Sequence, residues 1–462
     1  MCLVGCSLLA GVALNVAPAG AAPRALVEAP RAEGVAVAGG EVMVAAITAR
    51  GFARLTAVPV AGGPVRHVLH ASAPERGGEA SIVQLASSAQ LTALLVEFTD
   101  REGNSSDWHV FAGPPSGPLA IVHRAHLEGQ PRAVWLPFEV DVHGDRLLIH
   151  ELRWPLREGG RPRIASRAVV HVPGMTPTRV SQGGWGWPTG VAGDRIAWVF
   201  GRPRPLIRVV DWRTGKLAGT VGLGPFEEAS SDRPLDLADD GRVVVELDRE
   251  LFAGTPGQRA RPLHGTRGAG DLSEPRIAGE RVVAFGEARL DAQRPLAIDP
   301  GTGTRHVVGP PSTAVDALAA DETTLAWLAN GCVLAAGVAD APPLEAVPPG
   351  PCPRAEVVLE DHDEKLRGRT VRVLVTCIVA PPPGCRGAVV LRFRGHAARG
   401  RFRVPAGGRR LVKVGLTRRG AASLRRRLRF KGFAFLDMGA RVTDGRVSRE
   451  AGTRWVVVDA RP

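Results

Sequence analysis

Carboxylate and imidazole side chains that could do chemistry are concentrated in the stretch EDHDEK, residues 360–365. The stretch carries four carboxylates beside His362, and oxygen ligands of this kind suit Ca²⁺. Its spacing matches no defined calcium loop, so a solvated turn is the alternative interpretation. Further acidic and histidine residues lie next to the predicted turns of a repeat described below. These are Asp141, His143, Asp194, Asp236 and Glu280.

The sequence contains none of the linear motifs that mark common reaction types. It has no G-x-S-x-G nucleophile elbow, no H-E-x-x-H metal motif and no P-loop. The glycine-rich stretch GGWGWPTG at 183–190 contains two tryptophans, which favour a packed strand over a phosphate-binding loop. We therefore predict no catalytic residue, no cofactor and no metal ion. A site assembled from several chain segments would, however, leave no such motif.

The first 22 residues predict a signal peptide. A short apolar run leads to the small residues Ala19, Gly20 and Ala21, a cleavage pattern of secreted proteins. The sequence LVGC at 3–6 also resembles a lipoprotein box, so lipid attachment is the alternative to ordinary cleavage. No later apolar stretch reaches the ~20 residues that span a membrane. We predict a secreted or cell-envelope protein with no transmembrane segment after the signal.

Four of the six cysteines follow this segment and are predicted to form disulfides. No Cys-x-x-Cys occurs, and an exported chain meets an oxidising environment, so disulfides are favoured over metal ligation. Four cysteines allow three pairings. We favour the sequence-local pairs, with free buried thiols as the alternative. The second pair would pin a proline-rich hairpin over residues 378–384. The two pairs are Cys332–Cys352 and Cys377–Cys385.

A short phrase recurs along the chain and predicts a repeat. VAGDRIAWVF (191–200), IAGERVVAF (277–285) and VHGDRLLIH (142–150) each place Gly, an acid and Arg between two apolar stretches. Short strands repeating every 40–50 residues are typical of a β-propeller. The first apolar residue after each turn gives seven anchors, spaced on average by about 47 residues: Val42, Leu91, Leu147, Ile196, Val243, Val282 and Leu325.

Each repeat is predicted to contain four strands. Between the last two, an Asp-x-x-Thr-Gly sequence predicts a turn, because Asp can bond to its own backbone and Gly supplies a positive φ. The second and seventh copies, SSAQL and DETTL, lack the first-turn glycine. Six or eight blades, or a long β-sandwich, are therefore the alternatives.

The repeated phrase resembles that of the TolB-like family of bacterial propellers over roughly residues 30–348. The resemblance implies the fold and no particular function. The family's Pro-Asp-Gly turn is replaced here by Gly-Asp-Arg or Gly-Glu-Arg. The predicted fold class is all-β, with a propeller of about seven four-stranded blades followed by a C-terminal β-sandwich.

Residues 351–462 form a separate predicted domain after the proline-rich segment 339–354. Their apolar and polar residues alternate, which predicts strands with one solvated face and a small sandwich. Between its strands, TRRGAASLRRRL predicts a short helix that Thr417 caps, with Leu424 and Leu428 on one face. The sequence from GCRGAVVLRF onward resembles a small immunoglobulin-like module that ends many secreted proteins of GC-rich bacteria. That resemblance implies no defined ligand.

The net charge of +13 is unevenly distributed. Residues 351–462 carry +17, and residues 1–350 carry −4. A basic module predicts attraction to a polyanion, such as an anionic envelope polymer or lipid headgroups. Nucleic acid is a poorer candidate because the tail has few aromatic residues for stacking. A solvated arginine-rich face is the alternative. The candidate polyanion-binding residues are Arg409, Arg410, Arg418, Arg419, Arg425, Arg426, Arg427 and Arg429.

Three functional hypotheses follow. The first is an exported, non-enzymatic protein whose propeller face binds a protein, peptide or glycan, and whose basic sandwich associates with the envelope. The second is a propeller enzyme of lactonase, glycan lyase or quinoprotein type with an axial site. The third is a structural envelope spacer without a ligand. A ring of His, Asp or Glu at the inner ends of several blades would favour the enzyme, and an apolar or Arg-lined axis would favour binding.

Overall fold

The structure is a computed structural model, and nearly all its regular elements are strands. It describes residues 24–29, 31–73, 78–100, 105–128, 134–154, 165–181, 186–200, 206–223, 235–247, 250–263, 272–287, 293–309, 312, 315–329, 331–338, 356–360, 364–379, 384–405, 408–431, 433–443 and 448–459.

Seven four-stranded antiparallel sheets follow one another along the chain and confirm the predicted propeller. Below, the sheets are blades 1 to 7, the first strand of each is its inner strand, and the connection to its second strand is its first turn. Blade 1 comprises Ala32–Ala38, Glu41–Ile47, Ala53–Pro59 and Arg66–Ala71. Blade 2 comprises Glu79–Ser87, Thr92–Thr99, Ser105–Gly113 and Ala120–Glu128. Blade 3 comprises Val134–His143, Arg146–Trp154, Ala165–His171 and Thr178–Val180.

The remaining blades have the same order of strands. Blade 4 comprises Gly186–Ala192, Arg195–Phe200, Leu206–Asp211 and Leu217–Gly222. Blade 5 comprises Leu235–Leu237, Val243–Leu247, Glu250–Gly254 and Arg261–Pro262. Blade 6 comprises Leu272–Ala278, Arg281–Glu287, Gln293–Ile298 and Arg305–Val307. Blade 7 comprises Val315–Ala320, Thr324–Ala329, Cys332–Gly337 and, from the beginning of the chain, Arg24–Glu28.

The strand Arg24–Glu28 closes the ring. It precedes the range predicted for the repeat, yet it pairs antiparallel with Cys332–Gly337 as the outer strand of blade 7, with Ala25 opposite Leu334. The last sheet is therefore built from both ends of the repeat. The blade number is seven in the described part of the chain, and the six- and eight-blade alternatives are excluded.

Apolar cores fill all seven interfaces between neighbouring blades. The second strands supply much of them, because these strands are apolar on both faces and each face meets another sheet. Between blades 3 and 4, for example, Leu148 packs with Ile196 and Trp198. The core between blades 7 and 1 brings Leu328 together with Val42, and the inner strands contact one another around the whole ring. All seven predicted anchors are buried.

The first turns use two different devices to reverse the chain. In blades 3, 4 and 6 a glycine adopts a φ of 52–58° that residues with a side chain rarely take. In blade 2, Ser88 Oγ instead accepts the N–H of Leu91 at 3.1 Å. In blade 7, Asp321 Oδ1 accepts the N–H of Thr324 at 2.7 Å. Side-chain caps thus replace the glycine in the two copies that lack it.

The predicted turn between the last two strands is confirmed in both copies. Asp211 Oδ1 accepts the Thr214 N–H at 2.8 Å, and Asp299 Oδ1 accepts the Thr302 N–H at 3.0 Å. Gly215 follows with a φ of 69°, as the left-handed position requires.

The C-terminal part forms a β-sandwich. Its three-stranded sheet contains Glu356–Glu360, Thr370–Val379 and Arg409–Gly415. Its five-stranded sheet contains Glu364–Lys365, Ser448–Asp459, Phe433–Thr443, Cys385–Phe393 and His396–Val404. Residues of both sheets share a single apolar core, which includes Val373 from the first sheet and Val389 from the second.

One α-helix, α1 (Arg418–Lys431), joins the two sheets. Thr417 Oγ1 accepts the Gly420 N–H at 3.0 Å, so the predicted cap is confirmed. Leu424 and Leu428 are buried in the sandwich core, as their spacing predicted. The helix therefore has one apolar face on the core and one face toward solvent.

The disulfide Cys377–Cys385 is present, but the predicted hairpin is wrong. Cys377 lies in the three-stranded sheet and Cys385 in the five-stranded sheet, so the segment between them crosses from one sheet to the other. The bond therefore joins the two layers of the sandwich. Cys332 is also disulfide-bonded, and its predicted partner Cys352 lies outside the described residues.

Removing the closing strand should destabilise the propeller. We expect a chain that begins at residue 31 to lose at least about 2 kcal/mol of unfolding free energy, because Leu26 and Val27 lose their contacts with the blade 7–blade 1 core. Denaturant titration followed by circular dichroism measures this loss. A chain that begins at Arg24 is the control, and equal unfolding midpoints for the two chains would contradict the prediction.

Removing the inter-sheet disulfide should weaken the sandwich alone. For C377A/C385A we expect the unfolding free energy of the sandwich to fall by roughly 2–3 kcal/mol. Without the bond, the short loop between the two positions is no longer closed in the unfolded state, which gains conformational entropy. Hydrogen exchange of Cys385–Phe393 reports this loss. Arg195–Phe200 in blade 4 serves as the internal control, and faster exchange there as well would show a global effect instead.

Candidate functional site

The inner strands and first turns surround an axial cavity of about 740 Å³. Its walls come from blades 1, 2, 3, 5, 6 and 7, which is the geometry expected where inner strands converge on a propeller axis. A concave pocket with several convergent polar groups is the default candidate for a binding site. This cavity is therefore the candidate binding site of the propeller.

The cavity is strongly acidic. Eight carboxylates line it, against one guanidinium, that of Arg276. Of the residues noted in the sequence, Asp141, His143, Asp236 and Glu280 contribute to the lining. The other carboxylates belong to no motif of the sequence, although every one of them lies in an inner strand or a first turn. These are Glu139, Asp239, Asp240, Asp321 and Glu322.

Asp194 does not line the cavity. Its Oδ1 lies 3.0 Å from Arg213 Nε in the same blade and 3.7 Å from Arg146 Nη2 of blade 3. Of the stretch EDHDEK, residues 361–363 lie outside the described residues, so the calcium hypothesis stays a prediction. Within the described part of the chain, no group of three or more His, Cys, Asp or Glu residues is arranged to hold a metal ion.

Asp141 and Asp236 occupy equivalent positions in blades 3 and 5. Each is paired across its blade with the residue that follows the buried anchor of the second strand, Leu148 after Leu147 and Val244 after Val243. Asp141 Oδ2 accepts the N–H of Val191 at 2.8 Å, and Asp236 Oδ2 accepts the N–H of Ile277 at 2.5 Å. Each carboxylate thereby bonds the inner strand of the following blade.

Both carboxylates have raised pKa values. Burial, reinforced by the negative charge of Asp236, raises the pKa of Asp141 to about 6. Burial also raises the pKa of Asp236, although Arg276 and the Ile277 N–H oppose the shift. The structure therefore brings together Asp141, Asp236 and Arg276, from three blades that are far apart in sequence.

Arginines that follow the first turns contact the next blade. Arg242 Nη2 donates to the Gly279 carbonyl of blade 6 at 3.1 Å, and Arg281 Nη1 donates to the Val338 carbonyl after blade 7 at 2.6 Å. The guanidinium of Arg195 fills the space beside Gly241 in blade 5, where a Cβ would lie. These contacts assign the arginines a structural role at the rim.

A second polar cluster joins blades 2 and 3 away from the cavity. Glu151 is 1% exposed, contacts Arg167 and lies 3.1 Å from His123 Nε2 of blade 2. Burial would raise the pKa of Glu151, but bonds to His123 and Arg167 lower it to about 2. Burial, with the charge of His123, lowers the pKa of His171 to about 4. Ionised Glu151 thus forms an ion pair with Arg167 inside blade 3 and contacts His123 of blade 2, which links the two blades.

A more open cavity of about 630 Å³ lies between the outer parts of blades 1 and 2. His126 Nδ1 lies 2.8 Å from Asp107 Oδ1 at its wall, and His109 packs edge-on against Phe98. Burial and the charge of Arg124 lower the pKa of His109. Its walls mix both charges with aromatic rings, so it shows no preference for one ligand charge.

The predicted arginines lie on two elements of the sandwich. Arg409 and Arg410 begin an edge strand, and the other six lie on α1. Five of the six arginines on α1 are exposed to solvent, and Arg427 is half-buried. Three exposed arginines that sequence analysis did not include lie on a neighbouring strand: Arg399, Arg401 and Arg403.

Comparison with known families and with curated proteins finds no match for the chain. Among solved structures, it is similar to the WD40 domain of SCAP from fission yeast, with 10% identity and a TM-score of 0.33, over 66% of this chain and 84% of that one. It is also similar to a gluconolactonase from Xanthomonas campestris, with 13% identity and a TM-score of 0.32, over 70% and 99%.

A puromycin-hydrolysing peptidase of Mycobacterium tuberculosis is a further similar structure. Identity is 14% and the TM-score is 0.41 over 79% of this chain, which spans 61% of the peptidase. The propeller assignment rests on the seven sheets and seven cores of this chain itself. In the described part of the chain, no helix is long and apolar enough to cross a membrane.

Replacing Asp141 by Asn should stabilise the protein above pH 6. The pKa of Asp141 is higher in the folded state than its ordinary 3.8, so ionisation of this group lowers the stability of the fold. The full loss applies above pH 6, and there is no loss below pH 3.8. Asn removes the charge and keeps an oxygen for the Val191 N–H. We expect D141N to raise stability by on the order of 2 kcal/mol at pH 8, with a smaller gain at pH 5.

Two further variants separate charge from hydrogen bonding in that measurement. D141A also loses the oxygen acceptor, so we expect it to be less stable than D141N at every pH, by about 1 kcal/mol. D299N is the control, because hydrogen bonds from Thr302 lower the pKa of exposed Asp299 and its neutralisation brings no gain. Equal stability of D141N and wild type at pH 8 would refute a raised pKa.

Proposed function

We propose that this chain is a non-enzymatic binding protein whose axial cavity takes a cationic ligand, such as a lysine- or arginine-bearing peptide segment. The observation that carries the proposal is the excess of eight carboxylates over one guanidinium around a single cavity. A concave site with walls of one charge focuses the field and concentrates ligands of the opposite charge. Among the protein, peptide and glycan ligands considered from the sequence, a basic peptide fits this charge best.

The burial of Asp141 and Asp236 supports a cationic ligand. Burial and, after it, the negative charge of Asp236 raise the pKa of Asp141 to about 6. An ammonium or guanidinium group beside them would favour the ionised forms and so recover free energy on binding. At the rim, Glu280 and Glu322 are exposed, and they provide further negative charge where a ligand enters.

The proposal extends to the whole chain. Residues 1–22 act as a signal peptide, residues 30–348 as a TolB-like propeller, and residues 351–462 as an immunoglobulin-like module that holds the protein at the cell envelope. The disulfide of the module supports an oxidising location. Arginines of α1 and of Arg409–Gly415 supply the positive charge for an anionic envelope component.

Binding of a short lysine peptide tests the cavity. We expect fluorescently labelled tri-lysine to bind the full chain with an affinity that falls as salt rises, and tri-glutamate not to bind. In E280Q/E322Q we expect roughly tenfold weaker binding, because two rim charges are lost while the inner carboxylates remain. Fluorescence anisotropy over a salt series measures this.

The matched control removes two carboxylates far from the first turns. Glu79 begins the inner strand of blade 2 and Glu250 begins the third strand of blade 5, both remote from the rim. E79Q/E250Q should bind like wild type. Equal loss in both double variants would indicate a general charge effect, and absence of binding by wild type would favour the envelope spacer.

An axial enzyme is the second candidate, because the ring of Asp, Glu and His side chains expected of an enzyme lines the cavity. Carboxylates from several blades surround the cavity, and Asp141 has a pKa of about 6 beside Asp236, which is suited to general acid–base chemistry near neutral pH. Asp141 and Asp236, however, each accept a backbone N–H of the next blade, which already gives them a structural role. Turnover of a lactone or glycan that D141N abolishes, while its fold persists, would support the enzyme.

A further inference from the structure

The solvent face of α1 combines many positive charges with one exposed aromatic ring. Ala421, Leu424 and Leu428 are buried on the sandwich core. The opposite face carries exposed arginines at both ends of the helix, and at its C-terminal end Phe430, of which 79% is exposed. The exposed arginines are Arg418, Arg419, Arg425, Arg426 and Arg429.

This charge is not neutralised within the described part of the chain. No acidic residue lies in the first turn of α1, and among the described residues no ion pair involves the five exposed arginines. Arg425 and Arg429 are four residues apart and repel each other, and Arg418 and Arg419 face the positive end of the helix dipole. An external anionic surface would relieve both unfavourable interactions.

Phe430 distinguishes between classes of anionic surface. A soluble phosphate polymer offers phosphate oxygens to the arginines but no apolar phase for a phenyl ring. A bilayer offers both, because an interfacial helix places basic residues at the headgroups and aromatic residues at the acyl boundary. Phe430 has the largest exposed fraction among the large hydrophobic residues of the described chain, and Lys431 Nζ lies 5.4 Å from its ring centre.

We infer that the solvent face of α1 docks the protein on an anionic lipid bilayer, with the arginines on the headgroup phosphates and Phe430 inserted beneath them. This inference rests on the proposed association of the basic module with the envelope and specifies its partner. It is independent of the ligand proposed for the axial cavity.

Vesicle binding by the full chain tests the inference. We expect the protein to sediment with vesicles of phosphatidylcholine containing 30 mol% phosphatidylglycerol, and not with phosphatidylcholine alone. F430A should weaken binding about tenfold while salt dependence persists. R426Q/R429Q should weaken binding at least tenfold and reduce the salt dependence, because fewer phosphate contacts are made.

Matched variants of the propeller provide the controls. R54Q/R261Q removes the same charge at exposed positions of blades 1 and 5, and L217A removes an exposed apolar side chain of blade 4. Both should bind vesicles like wild type. Circular dichroism and thermal unfolding confirm that F430A and R426Q/R429Q fold, which is expected because the changed side chains are exposed.

The outcomes separate this inference from the proposed function. The lipid inference would be overturned if the wild type bound soluble polyphosphate but not the anionic vesicles, and if F430A bound polyphosphate equally well. The proposed electrostatic association with the envelope would then still stand. Absence of binding to vesicles, polyphosphate and isolated envelope would overturn both. Tri-lysine binding is measured separately, so either result leaves the cavity proposal to its own test.

Discussion

Every blade of this propeller has two apolar faces, and only a closed ring can bury both of them. In an open arrangement the first and last blades would each expose one apolar face, which water penalises in proportion to its apolar area. The seven interfacial cores remove this exposure, and the core between blades 7 and 1 is the one that an open chain would lack. The pairing of Arg24–Glu28 with the last blade joins the two ends of the repeat at that position. The axial cavity exists because this closure holds.

Closure also explains why so many charged residues lie near the axis. Strands converge there, and each inner strand must satisfy the backbone N–H groups that face its neighbours. Asp141 and Asp236 do so by accepting an N–H of the next blade, whereas Arg242 and Arg281 donate to backbone carbonyls at the rim. Two carboxylates that fasten neighbouring blades therefore also contribute to the acidic lining of the cavity.

The two parts of the chain present opposite electrostatic surfaces. The cavity of the propeller is lined mainly by carboxylates, whereas the solvent face of α1 carries arginines without acidic partners in the described part of the chain. The two proposed partners, a cationic ligand for the cavity and an anionic surface for the helix, follow from these opposite charges.

The sequence by itself determined the strands, the period and the fold class, because alternation of apolar residues, glycine turns and Asp-x-x-Thr-Gly turns are local features. It also determined the capped helix, since Thr417, Leu424 and Leu428 lie within one short segment. Only the tertiary structure decided the blade number, the closing strand and the role of the cysteine bond between two sheets, because each depends on residues paired over long distances. The same holds for the cavity: Asp141 and Asp236 are 95 positions apart, and only the ring provides the burial and the nearby charge of Asp236 that raise the pKa of Asp141.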